Sequence, residues 1–424
     1  MAKYKIDTVV VGSGQAGIAM SEHLSTQGID HIIFERDRIA ERWRTNRWDS
    51  LVANGPAWHD RFPGLEFKGY SGEEFVPKEA VVKYFEDYVK QVSAPVHCGV
   101  EVIRVSRNFD QGDFDVETSQ GTYRARHIVA ATGAFQTPVF PKIVPDGVDI
   151  QQMHSASYRN PSQLRDGNVL VVGAGSSGAQ ISQELMESGR NVYLSISPHD
   201  RPPRRYRGRD NVWWLGVLGK WEMPTPKPGT EHVTFAVSGK DGGKTVDFRR
   251  YAHSGMTLLG MTKSYQNGKL FFNDDLQENI SYGDRNYFSV LQEADEYVQR
   301  TRVNLPEDPE ARKTWPDPHC LTHPIKELSF ENENITSIIW ATGYKLDFKW
   351  LKIGEFDERG RPLHSRGIST EAGLYFIGLP WLSRRGSSFI WGVWHDAKFI
   401  AEQIAIQRAY LRYLPPQSET QIQG

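Results

Sequence analysis

Two short glycine-rich segments carry the spacing G-x-G-x-x-G, which is typical of turns that bind the pyrophosphate of a dinucleotide. In such a turn the first glycine permits a tight bend, the second lets the backbone approach the phosphates, and the third allows a helix to pack closely on a strand. Each segment follows a β-branched run and precedes a helical pattern, which makes the match specific. The residues expected to contact a cofactor are Gly12, Gly14 and Gly17 in the first turn and Gly173, Gly175, Ser176, Ser177 and Gly178 in the second.

The strand after each turn ends differently. Glu35 ends the strand after the first turn, where a carboxylate can accept hydrogen bonds from ribose hydroxyls. The strand after the second turn ends at Ser195 to Ser197 without an acidic residue. Nearby arginines suit a 2′-phosphate and favour NADPH, while NADH remains possible and a solvated arginine loop is the alternative. These arginines are Arg201, Arg204 and Arg205.

Two β-α-β units must position these turns. Because the same unit occurs twice, we expect an α/β protein with two Rossmann-like dinucleotide-binding domains. The simplest cofactor pair is a flavin that stays bound and a nicotinamide dinucleotide that reduces it. The predicted elements are strand 6–11, helix 14–27 and strand 31–34 in the first unit, and strand 169–172, helix 177–188 and strand 191–196 in the second.

The remaining segments are less regular. Residues 198–324 contain many prolines and few periodic stretches, so we expect an irregular extension with one helix, Val290–Arg302. A strand, Ile335–Trp340, resumes the regular pattern, and a helix runs from about Gly392 or Val393 to Leu411.

Composition narrows the class of protein. The 424 residues include 50 Lys and Arg against 52 Asp and Glu, so no whole-chain basic field favours nucleic acid. No apolar run is long enough to span a bilayer, and the start of the chain leads directly into a strand, so we expect a cytoplasmic protein without membrane contact. The two cysteines, Cys98 and Cys320, are far apart, which excludes a CxxC pair and a cysteine-rich zinc site; we expect no metal.

A series of short blocks extends over most of the chain. They are Val11 to Gly17, Glu41-Arg42-Trp43, Trp48 to Asn54, Ala131-Thr132-Gly133, His154-Ser155-x-x-Tyr158, Ala341-Thr342-Gly343-Tyr344 and Gly373 to Gly378. In content and order they resemble the class B flavin-dependent monooxygenases, which include the flavin-containing monooxygenases and, more distantly, the Baeyer–Villiger enzymes.

The resemblance implies a layout and a reaction. Residues 1–160 and 335–424 form an FAD-binding domain, and residues 161–334 form an inserted NADPH-binding domain whose irregular part, at about 198–324, shapes the substrate site. NADPH reduces FAD, and O2 then gives a C4a-(hydro)peroxyflavin that oxygenates a small organic substrate and must be shielded from water. The expected partners are this substrate and O2, with a homodimer as a possible assembly.

The resemblance also implies roles for single residues. Asn54 is expected to donate a hydrogen bond beside the flavin, although Asn-Gly-Pro is also a turn signal. His154 and Tyr158 could reach the nicotinamide or its ribose. Tyr158 stands where Baeyer–Villiger enzymes have Trp or Pro, which favours N- or S-oxygenation or hydroxylation, whereas Val148 and Ile150 depart from the family's identifying sequence. The other expected cofactor contacts are Arg42, Trp43, Thr132, Gly133, Ser155, Ala341, Thr342, Gly343 and Gly378.

Aromatic clumps and two other functions complete the expectations. Tryptophans near residues 43–58, 213–221 and 381–394 could build a dry substrate pocket, although core packing explains any one of them equally well. One alternative function is a flavoprotein reductase or oxidase that oxygenates nothing. The other is a dinucleotide-sensing regulatory subunit, for example of a transporter.

Overall fold

The computed structural model of the chain describes residues 4–110, 112–227 and 235–413. The strands in these residues are β1 (Tyr4–Val11), β2 (His31–Glu35), β3 (Val96–Cys98), β4 (Val102–Asn108), β5 (Asp113–Thr118), β6 (Gly121–Ala130), β7 (Thr137–Pro138), β8 (Gln151–His154), β9 (Asn168–Val172), β10 (Val192–Ser195), β11 (Arg205–Tyr206), β12 (Arg209–Asp210), β13 (Thr257–Leu259), β14 (Thr262–Gln266), β15 (Lys269–Phe272), β16 (Glu327–Ser329), β17 (Ile335–Trp340), β18 (Tyr344–Lys345), β19 (His364–Ser365), β20 (Ile368–Ser369) and β21 (Leu374–Phe376). The α-helices are α1 (Gln15–Thr26), α2 (Glu41–Thr45), α3 (Lys78–Gln91), α4 (Ser176–Glu187), α5 (Asn211–Val217), α6 (Lys240–Gly243), α7 (Phe248–His253), α8 (Leu276–Thr301), α9 (His319–Thr322) and α10 (Ile390–Arg412).

The first sheet is centred on β1. Its parallel part has the strand order β3-β2-β1-β6-β21, the short strands β20 and β19 extend one edge, and the β4–β5 hairpin joins through β6. Val9 and Val10 are fully buried and pair with Ile32 and Ile33 on one side. A central parallel strand is covered on both faces, so it needs the uninterrupted apolar run that the sequence supplies.

The second sheet repeats this design. Its order is β13-β10-β9-β17-β8, and every pair in it is parallel. Val169, Leu170 and Val171 of the central β9 are fully buried. One sheet with a parallel central part and one fully parallel sheet, each with a strand–glycine turn–helix unit at its centre, confirm the predicted α/β architecture with two dinucleotide-binding domains.

The predicted domain boundaries need correction. β8 and β17, which we expected in the first domain, belong to the second sheet, because β17 pairs with β9 on one side and with β8 on the other. The chain therefore changes domain at its two Ala-Thr-Gly segments, next to β7 and β18, rather than near residues 160 and 335. β7 and β18 pair antiparallel, so both crossings run together as one ribbon.

The predicted irregular extension is also more regular than expected. β13 adds an edge strand to the second sheet, and α8 begins at Leu276, well before the predicted start at Val290. The early turns of α8 carry many polar residues, which hides the buried positions Leu276, Ile280 and Gly283 in the sequence pattern. α10 likewise begins at Ile390, slightly earlier than predicted.

The C-terminal helix α10 is fixed to the first domain by a shared acceptor. Glu22 Oε2, on α1, accepts hydrogen bonds from Tyr88 Oη of α3 and Trp394 Nε1 of α10, both at 2.6 Å. Three helices from distant parts of the chain are thereby joined behind the first glycine turn. Among the helices described, none is both long enough and apolar enough to cross a lipid bilayer.

Candidate functional site

The first glycine turn has the geometry that its spacing predicts. Gly12 has φ +106°, and a Cβ there would lie 2.8 Å from the Ala131 carbonyl oxygen. A Cβ on Gly17 would lie 1.9 Å from Gly12 O, so a side chain would force helix and strand apart. A Cβ on Gly14, in contrast, would meet no protein atom within 4 Å and would point into open space at the turn. Gly12 and Gly17 are therefore required by packing, whereas Gly14 leaves room for a ligand's phosphates.

Glu35 is held at the mouth of this turn. Its Oε2 accepts hydrogen bonds from the backbone N–H of Ser13 at 2.8 Å and from the Ser13 hydroxyl at 3.1 Å. Its Oε1 accepts from Asp37 N at 2.9 Å. Glu35 lines the cleft, so a preorganised carboxylate stands where a ribose is expected. The turn, the open space at Gly14 and this carboxylate together fit the adenosine half of FAD.

The second glycine turn has the same backbone geometry as the first, and a serine follows it at the start of α4. Gly173 has φ +113°, a Cβ there would lie 2.5 Å from Ala341 O, and one on Gly178 would lie 1.8 Å from Gly173 O. Ser176 is the first residue of α4, and its hydroxyl donates a hydrogen bond to Phe235 O at 2.8 Å. Gly175, Ser176 and Ser177 line the same cleft as the first turn. These residues fit the pyrophosphate of a second dinucleotide at a helix N-terminus.

Each of the two Ala-Thr-Gly segments packs against one of the glycine turns. Ala131 N donates to Val11 O at 3.0 Å, and Ala341 N donates to Val172 O at 2.8 Å, so each segment continues the strand beside its turn. The remaining residues of these segments, Thr132, Gly133, Thr342 and Gly343, line the cleft, as does Gly378, which packs against Ala16 of α1.

Arg42 and Trp43, on the short helix α2, also line this cleft. Arg42 Nη2 donates to Gln136 O at 3.2 Å, which connects α2 to the segment just before β7, where the chain first passes from one domain to the other. Their predicted contact with a cofactor agrees with this location and stays a prediction.

The structure gives His154 and Tyr158 internal partners. His154 is buried, its Nε2–H donates to Gly343 O at 3.0 Å, and its Nδ1 accepts from Ala156 N at 3.1 Å. Burial lowers the pKa of His154, so the ring is neutral at physiological pH. Tyr158 is fully buried and donates to Glu184 Oε2 at 2.7 Å. Both side chains therefore hold the second domain together and do not face the cleft, whereas Ser155 does.

The predicted role of the arginines after the second turn also needs correction. Arg201 is buried and pairs with Asp284 at 2.8 Å. Arg204 lines the cleft, but its side chain is buried and pairs with Asp210 at 2.6 Å. Arg205 is exposed, donates to Gly242 O at 2.7 Å and does not line the cleft. Because Asp284 and Asp210 already neutralise the two buried cations, we no longer place a 2′-phosphate on this cluster.

Asn54 lies between the two turns. Its Oδ1 accepts from Gln180 Nε2 of α4 at 2.9 Å, and its backbone carbonyl accepts from Arg204 Nη1 at 2.6 Å. Its Nδ2 makes no hydrogen bond within the described part of the chain, and the residue is exposed to the cleft. The amide is thus oriented with its donor end available to a ligand.

One wall of the cleft is aromatic. The His59 ring stacks on Trp221 and Trp391, with centroids 5.2 and 5.7 Å apart, and Phe389 meets Trp221 edge-on at 5.0 Å. Trp221 and Phe389 line the cleft beside Val212 and Leu215. Of the three predicted tryptophan segments, two contribute cleft-lining tryptophans, namely Trp43, Trp48 and Trp221, whereas Trp391 of the third segment packs behind the wall against His59. Trp213 and Trp214 do not line the cleft and pack against Tyr297 of α8.

The whole cavity has a volume of about 1560 Å³ and is shared by both turns, Asn54 and the aromatic wall. Sequence reasoning missed several polar residues that line it, among them Asp60, Gln180 and Arg385. Gln180 lies one helical turn after Ser176, a spacing that could have revealed it. Asp60 and Arg385 have no such signal, because their positions depend on contacts with distant segments. Among the described residues, no group of three metal-ligating side chains lies together.

Comparison with known proteins identifies the family of the chain. Residues 9–207 match the family described as pyridine nucleotide-disulphide oxidoreductase. An uncharacterized CzcO-like oxidoreductase of Geobacillus kaustophilus is 32% identical over 403 residues, covering 94% of this chain and 98% of that protein. A probable indole-3-pyruvate monooxygenase, YUCCA4 of Arabidopsis thaliana, is 26% identical over 410 residues, with 94% and 90% covered.

Solved structures share the fold. The flavin-containing monooxygenase from Stenotrophomonas maltophilia aligns with a TM-score of 0.66 at 18% identity, covering 96% of this chain and 99% of that one. The bacillithiol disulfide reductase from Staphylococcus aureus aligns with a TM-score of 0.61 at 13% identity, with 97% and 100% covered.

The fold, the paired turns and the related sequences together indicate an NAD(P)H-dependent flavin oxidoreductase of the class B flavin monooxygenase type, a class whose members use FAD and NADPH. Within that class, the full-length similarity shows that the chain belongs to the CzcO-like oxidoreductases. This family contains oxidoreductases, so we do not retain the non-enzymatic sensing alternative.

Proposed function

We propose that this enzyme is a monooxygenase that uses NADPH and O2 to insert one oxygen atom into a small, partly apolar organic substrate. The balanced reaction consumes substrate, O2, NADPH and a proton and yields oxygenated substrate, water and NADP⁺. FAD, held at the first glycine turn and Glu35, would supply the redox chemistry that links NADPH to O2. N- or S-oxygenation or hydroxylation is favoured over Baeyer–Villiger chemistry, a preference that rests on Tyr158 in the sequence resemblance.

The observation that carries this proposal is one shared cavity. Both glycine turns open into it, and Asn54 and an aromatic wall line it between them. In this arrangement Glu35 and Ser13 orient a ribose, the starts of α1 and α4 bind phosphates, and Gln180 orients the Asn54 amide. An amide keeps the same protonation at every working pH, so its hydrogen bond to an oxygen-bearing group is constant.

The aromatic wall has two roles in the proposal. Trp221, Phe389, Val212 and Leu215 exclude water from the reacting oxygen, and they offer apolar surface to a substrate. Asp60 adds one polar group at the edge of this wall. Its Oδ2 accepts from Gly55 N and its Oδ1 contacts His59 Nδ1, both at 2.9 Å. The carboxylate is therefore fixed in orientation beside Asn54 and can bind a donor group of the substrate.

Rapid mixing tests this function against the reductase or oxidase alternative. The FAD-loaded enzyme is reduced anaerobically with NADPH, mixed with oxygenated buffer, and followed by absorbance while released hydrogen peroxide is measured. We expect a near-ultraviolet-absorbing species that precedes the oxidised flavin spectrum, with peroxide release delayed until it decays. Immediate return of the oxidised spectrum with one peroxide per NADPH, with or without a panel of amines and sulfides, contradicts the proposal and favours an oxidase.

A further inference from the structure

A short turn before α10 bridges the two cofactor turns. Residues Arg385–Ser388 form a 3-10 turn whose backbone is fixed at both ends. Arg385 N donates to Met223 O at 3.0 Å, and Ser388 O accepts from Gln15 Nε2, at the start of α1, at 2.7 Å. This part of the first domain therefore reaches across the cleft toward the second domain.

The Arg385 side chain lies close to the second glycine turn. Its guanidinium carbon is 4.8 Å from the centre of the Phe235 ring. The carbonyl of Phe235 accepts the hydrogen bond from Ser176, the first residue of α4. Arg385, Phe235 and Ser176 all line the cleft. A cation from one domain thus stands beside the anion-binding helix start of the other.

Arg385 differs from the neighbouring arginines in its partners. Within the described ranges, no carboxylate lies within 4.0 Å of it, and its polar side-chain contact is Met223 Sδ at 4.0 Å from Nη1. Arg201 and Arg204 have Asp partners, and Arg384 pairs with Glu222 at 2.5 Å. Burial lowers the pKa of Arg385, an effect that the more distant Asp200 and Glu293 offset in part. A half-buried cation without a close counterion is costly unless a ligand supplies the charge.

We propose that Arg385 binds a phosphate group of the nicotinamide dinucleotide across the domain boundary. This inference rests on the proposed function only in assigning the second turn to that dinucleotide. The phosphate has two sources: the pyrophosphate, which NADH and NADPH share, and the 2′-phosphate, which NADPH alone carries. If the phosphate is the 2′-phosphate, Arg385 takes the place that we first assigned to Arg201, Arg204 and Arg205. In either case dinucleotide binding fastens the turn before α10 to α4.

Equilibrium binding tests the assignment without turnover. The FAD-loaded wild type, Arg385→Gln and Arg385→Lys are titrated with NADP⁺, NAD⁺ and 2′,5′-ADP by calorimetry. Losing a charge-assisted hydrogen bond should raise the Kd of NADP⁺ roughly 10- to 100-fold in Arg385→Gln, and less in Arg385→Lys. Weakening of NADP⁺ and 2′,5′-ADP alone identifies the 2′-phosphate, whereas equal weakening of NADP⁺ and NAD⁺ identifies the pyrophosphate.

Arg205→Gln is the matched control. It removes the same charge from an exposed arginine that the sequence suggested for the same role, and we expect its Kd values to equal those of the wild type. Unchanged Kd values in Arg385→Gln overturn the inference and leave the proposed function standing. If Arg385→Gln loses FAD, the Kd values of Arg385→Lys decide, and wild-type values there overturn the inference as well. A wild-type enzyme that binds neither NADP⁺ nor NAD⁺ overturns both proposals.

Discussion

At the scale of single residues, the site depends on how Asn54 is held. An asparagine amide can present either its oxygen or its nitrogen to a ligand, and its neighbours decide which. Gln180 Nε2 donates to Asn54 Oδ1 and also to Val237 O, at 2.9 and 2.7 Å. Gln180 therefore acts as a positioning residue, because it occupies the acceptor end of Asn54 and leaves the donor end facing the cleft.

Replacing Gln180 should disturb the reaction through Asn54. Gln180→Met keeps a similar length but donates no hydrogen bond, so the Asn54 amide loses its fixed orientation. A neutral hydrogen bond of about 1 kcal/mol corresponds to a roughly five-fold effect. We expect the fraction of NADPH oxidised with release of hydrogen peroxide to rise by about that factor, while the FAD content stays unchanged.

A double-mutant cycle separates this role from general loosening of α4. If Gln180 acts through Asn54, then Gln180→Met combined with Asn54→Ala should release no more peroxide than Asn54→Ala alone. Additive effects of the two substitutions would show that Gln180 contributes independently of Asn54.

At the scale of elements, the loop after β10 is fixed against α8 by a buried histidine. His199 is almost fully buried, and its Nδ1–H donates to Ser197 O at 2.9 Å. A Cβ on Gly283 of α8 would lie 2.6 Å from His199 Nε2, so only glycine leaves room for the ring there. Burial lowers the pKa of His199 from 6.5 to about 4, with smaller effects from the Ser197 carbonyl, which raises it, Arg201, which lowers it, and Asp284, which raises it.

This pKa shift makes stability depend on pH. In the unfolded chain His199 takes up a proton near pH 6.5, whereas in the folded protein it does so only near pH 4. Between these values the unfolded state binds more protons, so the free energy of unfolding falls as pH decreases, by about 3 kcal/mol in all. The contribution is complete above pH 6.5 and is lost toward pH 4.

Urea unfolding at pH 7.5 and pH 5.0 tests this. The variant His199→Asn offers a side-chain N–H to Ser197 O and does not titrate. We expect the stability difference between wild type and variant to shrink by about 2 kcal/mol at the lower pH. Parallel pH profiles for the two proteins would mean that His199 already titrates normally in the folded state.

At the scale of the whole molecule, two similar domains share one cleft, and we propose that each holds a different cofactor. Gly14 and Gly175 occupy equivalent positions, and both have extended backbone angles, with φ −79° and −70°, that other residues adopt without strain. They therefore offer matched sites for blocking each cofactor separately.

We expect Gly14→Trp to be purified without FAD, because the indole fills the space reserved for its pyrophosphate. Gly175→Trp should keep its FAD but bind NADP⁺ more weakly and be reduced slowly by NADPH. Flavin absorbance of the purified variants and calorimetry with NADP⁺ measure the two effects. Thermal unfolding curves close to that of the wild type serve as the folding control. Equal loss of FAD from both variants would contradict the assignment of the two turns.

The amino-acid sequence by itself determined the parts of this protein that depend on local geometry. The turns at Gly12 and Gly173 need a positive φ, and Gly17 and Gly178 need contact without a Cβ; these demands act over a few residues and are visible as spacing. The apolar runs of β1 and β9 likewise predict strands that are buried on both faces. Two dinucleotide-binding domains could be predicted for this reason.

Only the tertiary structure decided which cations already have a carboxylate partner inside the protein and which do not. Arg204 and Arg385 look alike in the sequence and both line the cleft, yet Arg204 is paired with Asp210, whereas Arg385 has no close carboxylate among the described residues. The membership of β8 and β17 in the second sheet and the hydrogen bond from Gln180 to Asn54 were settled in the same way. Each of these joins residues far apart in the chain, so the pairing is selected by packing of the whole fold and leaves no local pattern.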